Sequence, residues 1–221
     1  MKPLIEDLRT TSQIRLFKKG SAILFQGEIP RKAFIIRDGV VRAYTVKTSG
    51  EESTIALYTK DDILPLSWLL DATSNSLFYY EAVSDVRVLS VDKDTFNKTL
   101  SQDTVRLNQM LRYLNKQYTA MLVRITGLSQ SRAVEKISFT FYYLLFRYGT
   151  DTTADGMQQL DLKLNHLMIA NLTGLTREST TTNLKVLKEK GIITYTRSSF
   201  SVNKRLLENF IGEDGFRELN L

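Results

Sequence analysis

The chain of 221 residues has no cysteine. That excludes disulfide bridges, iron–sulfur clusters held by thiolates and thiol nucleophiles. It has one histidine, His166, whereas zinc sites usually draw on several Cys or His ligands. No run reaches the roughly 18 apolar residues that a membrane-spanning helix needs. The opening "MKPLIEDLRTTSQIRL" lacks the apolar centre of a secretory signal. With no Cys and a single His, no nucleophile–base pair stands out, so the chain does not read as an enzyme. The expectation is a cytoplasmic protein without cofactor, metal site or membrane contact.

What is present is ordinary in total and uneven in place. Hydrophobic residues make up 43% and charged residues 24%, as in soluble globular proteins. The length suits one large domain or two smaller ones. The formal charge of +6 is compatible with an anionic partner. Between positions 163 and 205 stand Lys163, Arg177, Lys185, Lys188, Lys190, Arg197, Lys204 and Arg205, opposed only by Glu178 and Glu189. The flanking segments of the C-terminal half are net negative. A basic island of this kind marks phosphate binding or a solvated helix face, and charge alone leaves both open.

The first third reads as short strands. "SAILFQGE", "KAFIIRDGVVRAYTV" and "ESTIALYT" are rich in Ile, Val, Phe and Tyr, and Gly20, Gly27, Gly39 and Gly50 punctuate them. "YYEAVSDVRVLSV" adds a pair turning at Ser84-Asp85. The β region is expected from Gln13 to Val91. From Asp92 the period changes to 3.6. Leu107, Leu111, Leu114, Tyr118, Met121, Ile125 and Leu128 alternate at spacings of four and three, as in a heptad seam. A stripe this narrow favours a seam with a second copy, while packing on the β region is the alternative. Asn115 and Thr119 face the same seam, where they meet a ligand or set register. A second helix, 132–147, is apolar nearly all round and belongs in a core. "GTDTTADG" reads as a loop of turn formers.

Two shorter helices follow, 165–172 and 176–190. Asn165 caps the first, with Leu167, Ile169, Ala170 and Leu172 at core spacing. Gly174 supplies the turn. Thr176 caps the second, Glu178 suits its first turn, and Gly191 ends it. Thr180, Leu184 and Leu187 face inward, which leaves Arg177, Glu178, Thr181 and Thr182 outward. Helix, glycine turn, helix is a DNA-binding unit, and "IITYTRSSFSVN" adds a hairpin turning near residues 197–199. Arginine can donate two hydrogen bonds to guanine, and glutamate can accept from cytosine. The run "TRESTTTN" spends helix propensity, a few tenths of a kcal/mol per threonine, on short hydroxyl side chains that allow close approach to DNA. His166 reads as a surface residue. The tail, 204–221, reads as a short helix with a frayed end.

With these motifs in order, the sequence resembles the bacterial regulators typified by the cyclic-AMP receptor protein and the fumarate–nitrate regulator. "FKKGSAILFQGEIPRKAFIIRDGVVRAY" is similar to that family's β roll, and "LMIANLTGLTRESTTTNLKVLKEKGII" to its winged helix. The resemblance implies an α+β fold: a cyclic-nucleotide-binding-like β roll (1–100), a long dimerisation helix (101–128) and a C-terminal winged helix-turn-helix domain (129–221). It implies a homodimer that binds double-stranded DNA, contacts RNA polymerase and regulates transcription. Arg177 and Glu178 match the pair that reads bases, and Thr176 and Ser179 match hydroxyls that hold phosphates. Lys185, Lys188 and Arg197 are expected on the DNA backbone. Where the family often has a second Arg, four positions after the Glu, this chain has Thr182, so readout of one base pair should differ.

The sensor half departs further. Pro65 and Leu66 stand where nucleotide-binding members have Gly-Glu, and "SNSLFYYEAVS" lacks their phosphate-binding Arg. A buried cyclic phosphate needs a cationic partner, so cyclic AMP is not expected to bind in the family's way. Trp68, Phe78, Tyr79 and Tyr80 line a pocket for another effector or fill the β core; Trp68, Tyr80, Asn115 and Thr119 are the candidate effector contacts. The alternative to a regulator is a small-molecule-binding signalling module whose C-terminal domain contacts protein.

Overall fold

The computed structural model describes residues 2–212. These form two compact units, 2–114 and 115–212, with the division falling inside a helix.

In the first unit, α1 (Lys2–Thr11) precedes eight strands: β1 (Gln13–Phe17), β2 (Ala22–Leu24), β3 (Ala33–Asp38), β4 (Val41–Val46), β5 (Glu52–Tyr58), β6 (Ile63–Leu64), β7 (Tyr79–Ala82) and β8 (Val86–Val91). A one-turn helix, α2 (Leu66–Leu69), interrupts the series before β7, and α3 (Lys93–Leu100) follows β8. The β region thus spans the expected Gln13 to Val91. The strands form two antiparallel sheets in the orders β1-β8-β3-β6 and β2-β7-β4-β5.

Strand alternation divides the apolar residues between two cores. Phe34, Ile36, Val86 and Val88 of one sheet meet Leu24, Val41, Ala43, Tyr80 and Ala82 of the other. On the opposite face of β3 and β8, Ala33, Ile35, Leu89 and Val91 pack on Leu4, Ile5 and Leu8 of α1, Phe96 of α3, and Trp68. Helix α1 was not expected from sequence, because its apolar residues are few and lie between charges. At Gly39, with φ of +92°, a Cβ would lie 2.3 Å from the Asp85 carbonyl oxygen. Only glycine closes the β3–β4 turn there without displacing the β7–β8 connection.

Helix α4 runs Thr104–Ser129 and contains the unit division. Its first half adds Met110, Tyr113 and Leu114 to the second core of the first unit. The Tyr113 hydroxyl accepts from Ile63 N at 3.2 Å and donates to Asp62 Oδ1 at 3.3 Å. In the second half, Ala120, Val123, Arg124 and Gly127 are buried.

The second unit centres on α5 (Ala133–Tyr148), where every residue from Ile137 to Phe146 is buried. A Cβ on Gly127 would lie 2.6 Å from Cβ of Phe139, so glycine permits the close α4–α5 crossing. The segment expected to be a loop, 149–156, instead begins with strand β9 (Gly149–Thr152), which turns into β10 (Met157–Leu160). All four β9 residues are exposed on a sheet edge, so turn-forming Thr and Asp are tolerated and no apolar alternation betrays the strand. Then come α6 (His166–Thr173), α7 (Arg177–Glu189), β11 (Ile193–Tyr195), β12 (Phe200–Asn203) and α8 (Lys204–Ile211). The second unit's sheet has the order β11-β12-β10-β9. The frayed end expected after α8 falls on 213–221, outside the described residues.

Candidate nucleic-acid interface

Helix α6 starts where Asn165 Oδ1 accepts from Met168 N at 2.9 Å, satisfying one of the helix's free N–H groups. It stops at Gly174, whose φ of +70° is left-handed. Leu175 N reaches back to the Ala170 carbonyl at 3.2 Å, closing the turn. Thr176 Oγ1 then accepts from Ser179 N at 3.1 Å and caps α7. Thr180, Leu184 and Leu187, spaced four and three, are fully buried and fix the rotation of α7 about its axis. Leu167 departs from expectation: it is 54% exposed, because the first turn of α6 presents it outward.

With the inward face fixed, Arg177, Glu178, Thr182, Lys185 and Lys188 are exposed, and Ser179 and Thr181 are half-buried. Among the described residues neither Arg177 nor Glu178 has an ion-pair partner, although they are neighbours at the start of the helix. The hydroxyl of Thr182 donates back to the Glu178 carbonyl at 3.1 Å, and Asn183 Nδ2 to that of Ser179 at 2.8 Å. The polar side chains that cost helix propensity therefore stay within hydrogen-bond reach of the helix's own backbone.

The hairpin β11–β12 closes with Thr196 N donating to Ser199 O at 3.0 Å, leaving Arg197 exposed at the tip. Leu164 N donates to Ser198 O, also at 3.0 Å, tying the tip to the segment before α6. Lys188 Nζ lies 5.0 Å from the centre of the Tyr195 ring. Every expected DNA contact is thus on α7, its cap or the hairpin tip.

Two residues of this unit escaped the sequence reading. His166 is half-buried rather than a free surface residue: Nδ1 lies 3.0 Å from Thr181 Oγ1, and the ring packs edge-on against Tyr195 at 5.4 Å. Burial, and then the Arg177 charge, hold its basicity below the ordinary histidine value. A lone histidine after a capping residue carries no pattern that announces this. Arg124, on the buried side of α4, donates from Nη2 to the Leu172 carbonyl at 3.0 Å, and its guanidinium is 5.8 Å from the Tyr143 ring. Burial lowers its basicity. It links α4 to the end of α6 within the second unit.

The two candidate effector contacts of the first unit, Trp68 and Tyr80, lie in different cores. Trp68 is 8% exposed in the core beside α1, with Lys93 Nζ 5.0 Å from its ring centre. Tyr80 is 3% exposed in the other core, and burial pushes its hydroxyl pKa up to about 12. Tyr79 stacks on Tyr44 at 5.1 Å, and Phe78 packs at the edge of the inter-sheet core. Asn115 is exposed and Thr119 half-buried, both in the second unit. A cavity of about 360 Å³ in the first unit is lined by Arg15, Ile23, Leu24, Arg31 and Phe34 among others, and by none of these candidates. Arg42, on β4, is committed to Glu52 at 2.7 Å and Glu81 at 2.9 Å.

Along α4, Leu107, Leu111, Tyr118, Ile125 and Leu128 are exposed, and Leu114 and Met121 half-buried. The apolar stripe remains largely open.

Comparison with known proteins agrees with this division. Residues 14–103 match the cyclic nucleotide-binding domain, and residues 141–208 match the Crp-like helix-turn-helix domain. The chain is 28% identical to the global nitrogen regulator of Synechococcus elongatus, over 86% of this chain and 85% of that protein. It is 23% identical to the cyclic AMP receptor protein of Thermus thermophilus, over 82% and 79%. A mutant of CooA from Carboxydothermus hydrogenoformans superposes with a TM-score of 0.73 at 20% identity, over 93% of this chain and 90% of that one. FixK2 of Bradyrhizobium japonicum gives 0.70 at 19% identity, over 88% and 95%.

Proposed function

Because the chain belongs to the Crp/Fnr family of DNA-binding transcription regulators, we propose that it acts as a homodimer whose two α7 helices enter successive major grooves about 34 Å apart. Arg177 and Glu178 touch base edges, the arginine toward guanine and the glutamate toward cytosine. Lys185, Lys188 and Arg197 neutralise phosphates, and Thr176, Ser179, Thr181 and Thr182 lie close to the DNA backbone or base edges. The open α4 stripe is the dimer seam: burying Leu107, Leu111, Leu114, Tyr118, Met121, Ile125 and Leu128 against a second copy removes a large apolar area from water. Contact with RNA polymerase and a cytoplasmic location follow from that role.

The observation that carries this reading is the exposure, at the capped start of α7 and above a fully buried Thr180-Leu184-Leu187 face, of two oppositely charged side chains with no ion-pair partner among the described residues. Charges left unpaired on a rigid helix end are available to a partner that supplies both donors and acceptors.

Cyclic AMP is not the effector in this reading. Pro65 and Leu66 offer no carboxylate to a ribose, and Arg42 is already held by two glutamates. Capture of genomic DNA fragments on the immobilised protein tests the DNA role, with enrichment of a discrete set expected. Retention of all fragments alike, even at low salt, contradicts it. A thermal-shift titration with cyclic AMP is expected to leave the melting temperature unchanged.

A further inference from the structure

The one imidazole of the chain stands at a junction of three elements. His166 opens α6, meets Thr181 of α7 through Nδ1 at 3.0 Å, and packs on Tyr195 of β11 and Phe200 of β12, with ring centres at 5.4 and 6.5 Å. Tyr195 and Phe200 stack on each other at 5.1 Å. The imidazole therefore touches the recognition helix and both strands of the wing.

Among the described residues, the charge that acts on it is positive. From α7 the Arg177 guanidinium bears on the ring. Lys188, also on α7, sits over the Tyr195 ring that His166 abuts. The phenol of Tyr195 is the one titratable group that the wing strands bring against the ring, and Phe200 carries no charge. Glu178 lies exposed in the first turn of α7 and forms no ion pair with the imidazole. In the free protein this cationic, half-buried setting favours the neutral ring. A DNA duplex on the same surface brings a dense row of phosphates, whose field favours the imidazolium.

We propose that His166 is a positioning residue of the DNA surface, holding Thr181 and the wing in register, and that DNA binding draws a proton onto it. This rests on the DNA-binding reading above. The linkage has a definite sign. A group made more basic by the complex strengthens binding as the pH falls, with a ceiling of about tenfold per pH unit for each proton fully taken up. His166 is the only side chain whose ordinary pKa lies between about pH 5.5 and 7.5, so the effect is readable in that window.

The test is fluorescence anisotropy of the full chain with one labelled duplex, at constant ionic strength, across that window. The wild type is compared with His166→Gln, whose amide can still reach Thr181 but does not titrate. The expected result is wild-type affinity rising several-fold toward acid, with a flat profile for His166→Gln. Proton NMR of the single imidazole, free and DNA-bound, is expected to show its midpoint moving upward on binding. Equal pH profiles for the two proteins, or an imidazole midpoint unmoved by DNA, overturn the inference and leave the regulator reading intact. Failure of both proteins to bind any duplex overturns both.

Discussion

Trp68 and Arg177, both candidate ligand contacts in the sequence, stand in opposite settings in the two units. Trp68 lies 8% exposed among Leu4, Ile5, Leu8 and Phe96, with a lysine over its ring. Arg177 stands exposed, with no carboxylate partner among the described residues, on a helix whose inner face is closed. Both are large side chains within well-packed units. The difference lies in what neighbouring positions demand: the β roll needs aromatic volume, whereas the inner face of α7 is satisfied by Thr180, Leu184 and Leu187 and leaves the outer face free.

Substitutions sharpen that contrast. The largest effect expected is from Trp68→Ala, which should lower stability by about 3–5 kcal/mol. Chemical denaturation measures this, and DNA sequence preference should stay unchanged among molecules that remain folded. Arg177→Ala should do the reverse, leaving the melting temperature unmoved and costing about 1–3 kcal/mol of specific DNA binding with relaxed preference at one base pair. Competition binding against a panel of single-base variants reads that loss. Gly127→Ala places a methyl 2.6 Å from Phe139 Cβ and should destabilise the second unit by about 1–3 kcal/mol through overpacking, visible as a lower thermal midpoint. Lys188→Ala should weaken all duplexes alike and reduce the slope of log affinity against log salt by about 1. The smallest effect tests the buried side of α7. Thr180 Oγ1 is buried with no hydrogen-bond partner among the described residues, so Thr180→Val should be neutral or raise stability by about 1 kcal/mol. A loss of stability there would mean that the hydroxyl is satisfied in solution.

Much of this was legible because the signals are local. Asn165 and Thr176 cap the helices they were expected to cap, Gly174 adopts the left-handed turn, and the β region runs from Gln13 to Val91. Each rests on near-neighbour hydrogen bonding or strand alternation. What failed to show was set by contacts far apart in sequence. Strand β9 is written in Thr and Asp because it lies exposed on an edge, so its sequence imitates a turn. Leu167 has the right spacing for a core residue but the wrong side of α6. Arg124 and Leu172 are 48 positions apart, and His166 acquires its role only when α7 and the wing arrive beside it. The heptad stripe of α4 was readable as a stripe, and its exposure leaves it available to a second copy.

The central claim is that Arg177 and Glu178, held outward in pairs by a dimer, read base edges. The most direct measurement is selection of bound duplexes from a random-sequence pool by the wild type and by Arg177→Ala in parallel. An inverted repeat with half-site centres about one helical turn apart, losing preference at one symmetric base pair in the variant, is the expected result. Recovery of the same motif by both proteins, or of none by the wild type, contradicts the account.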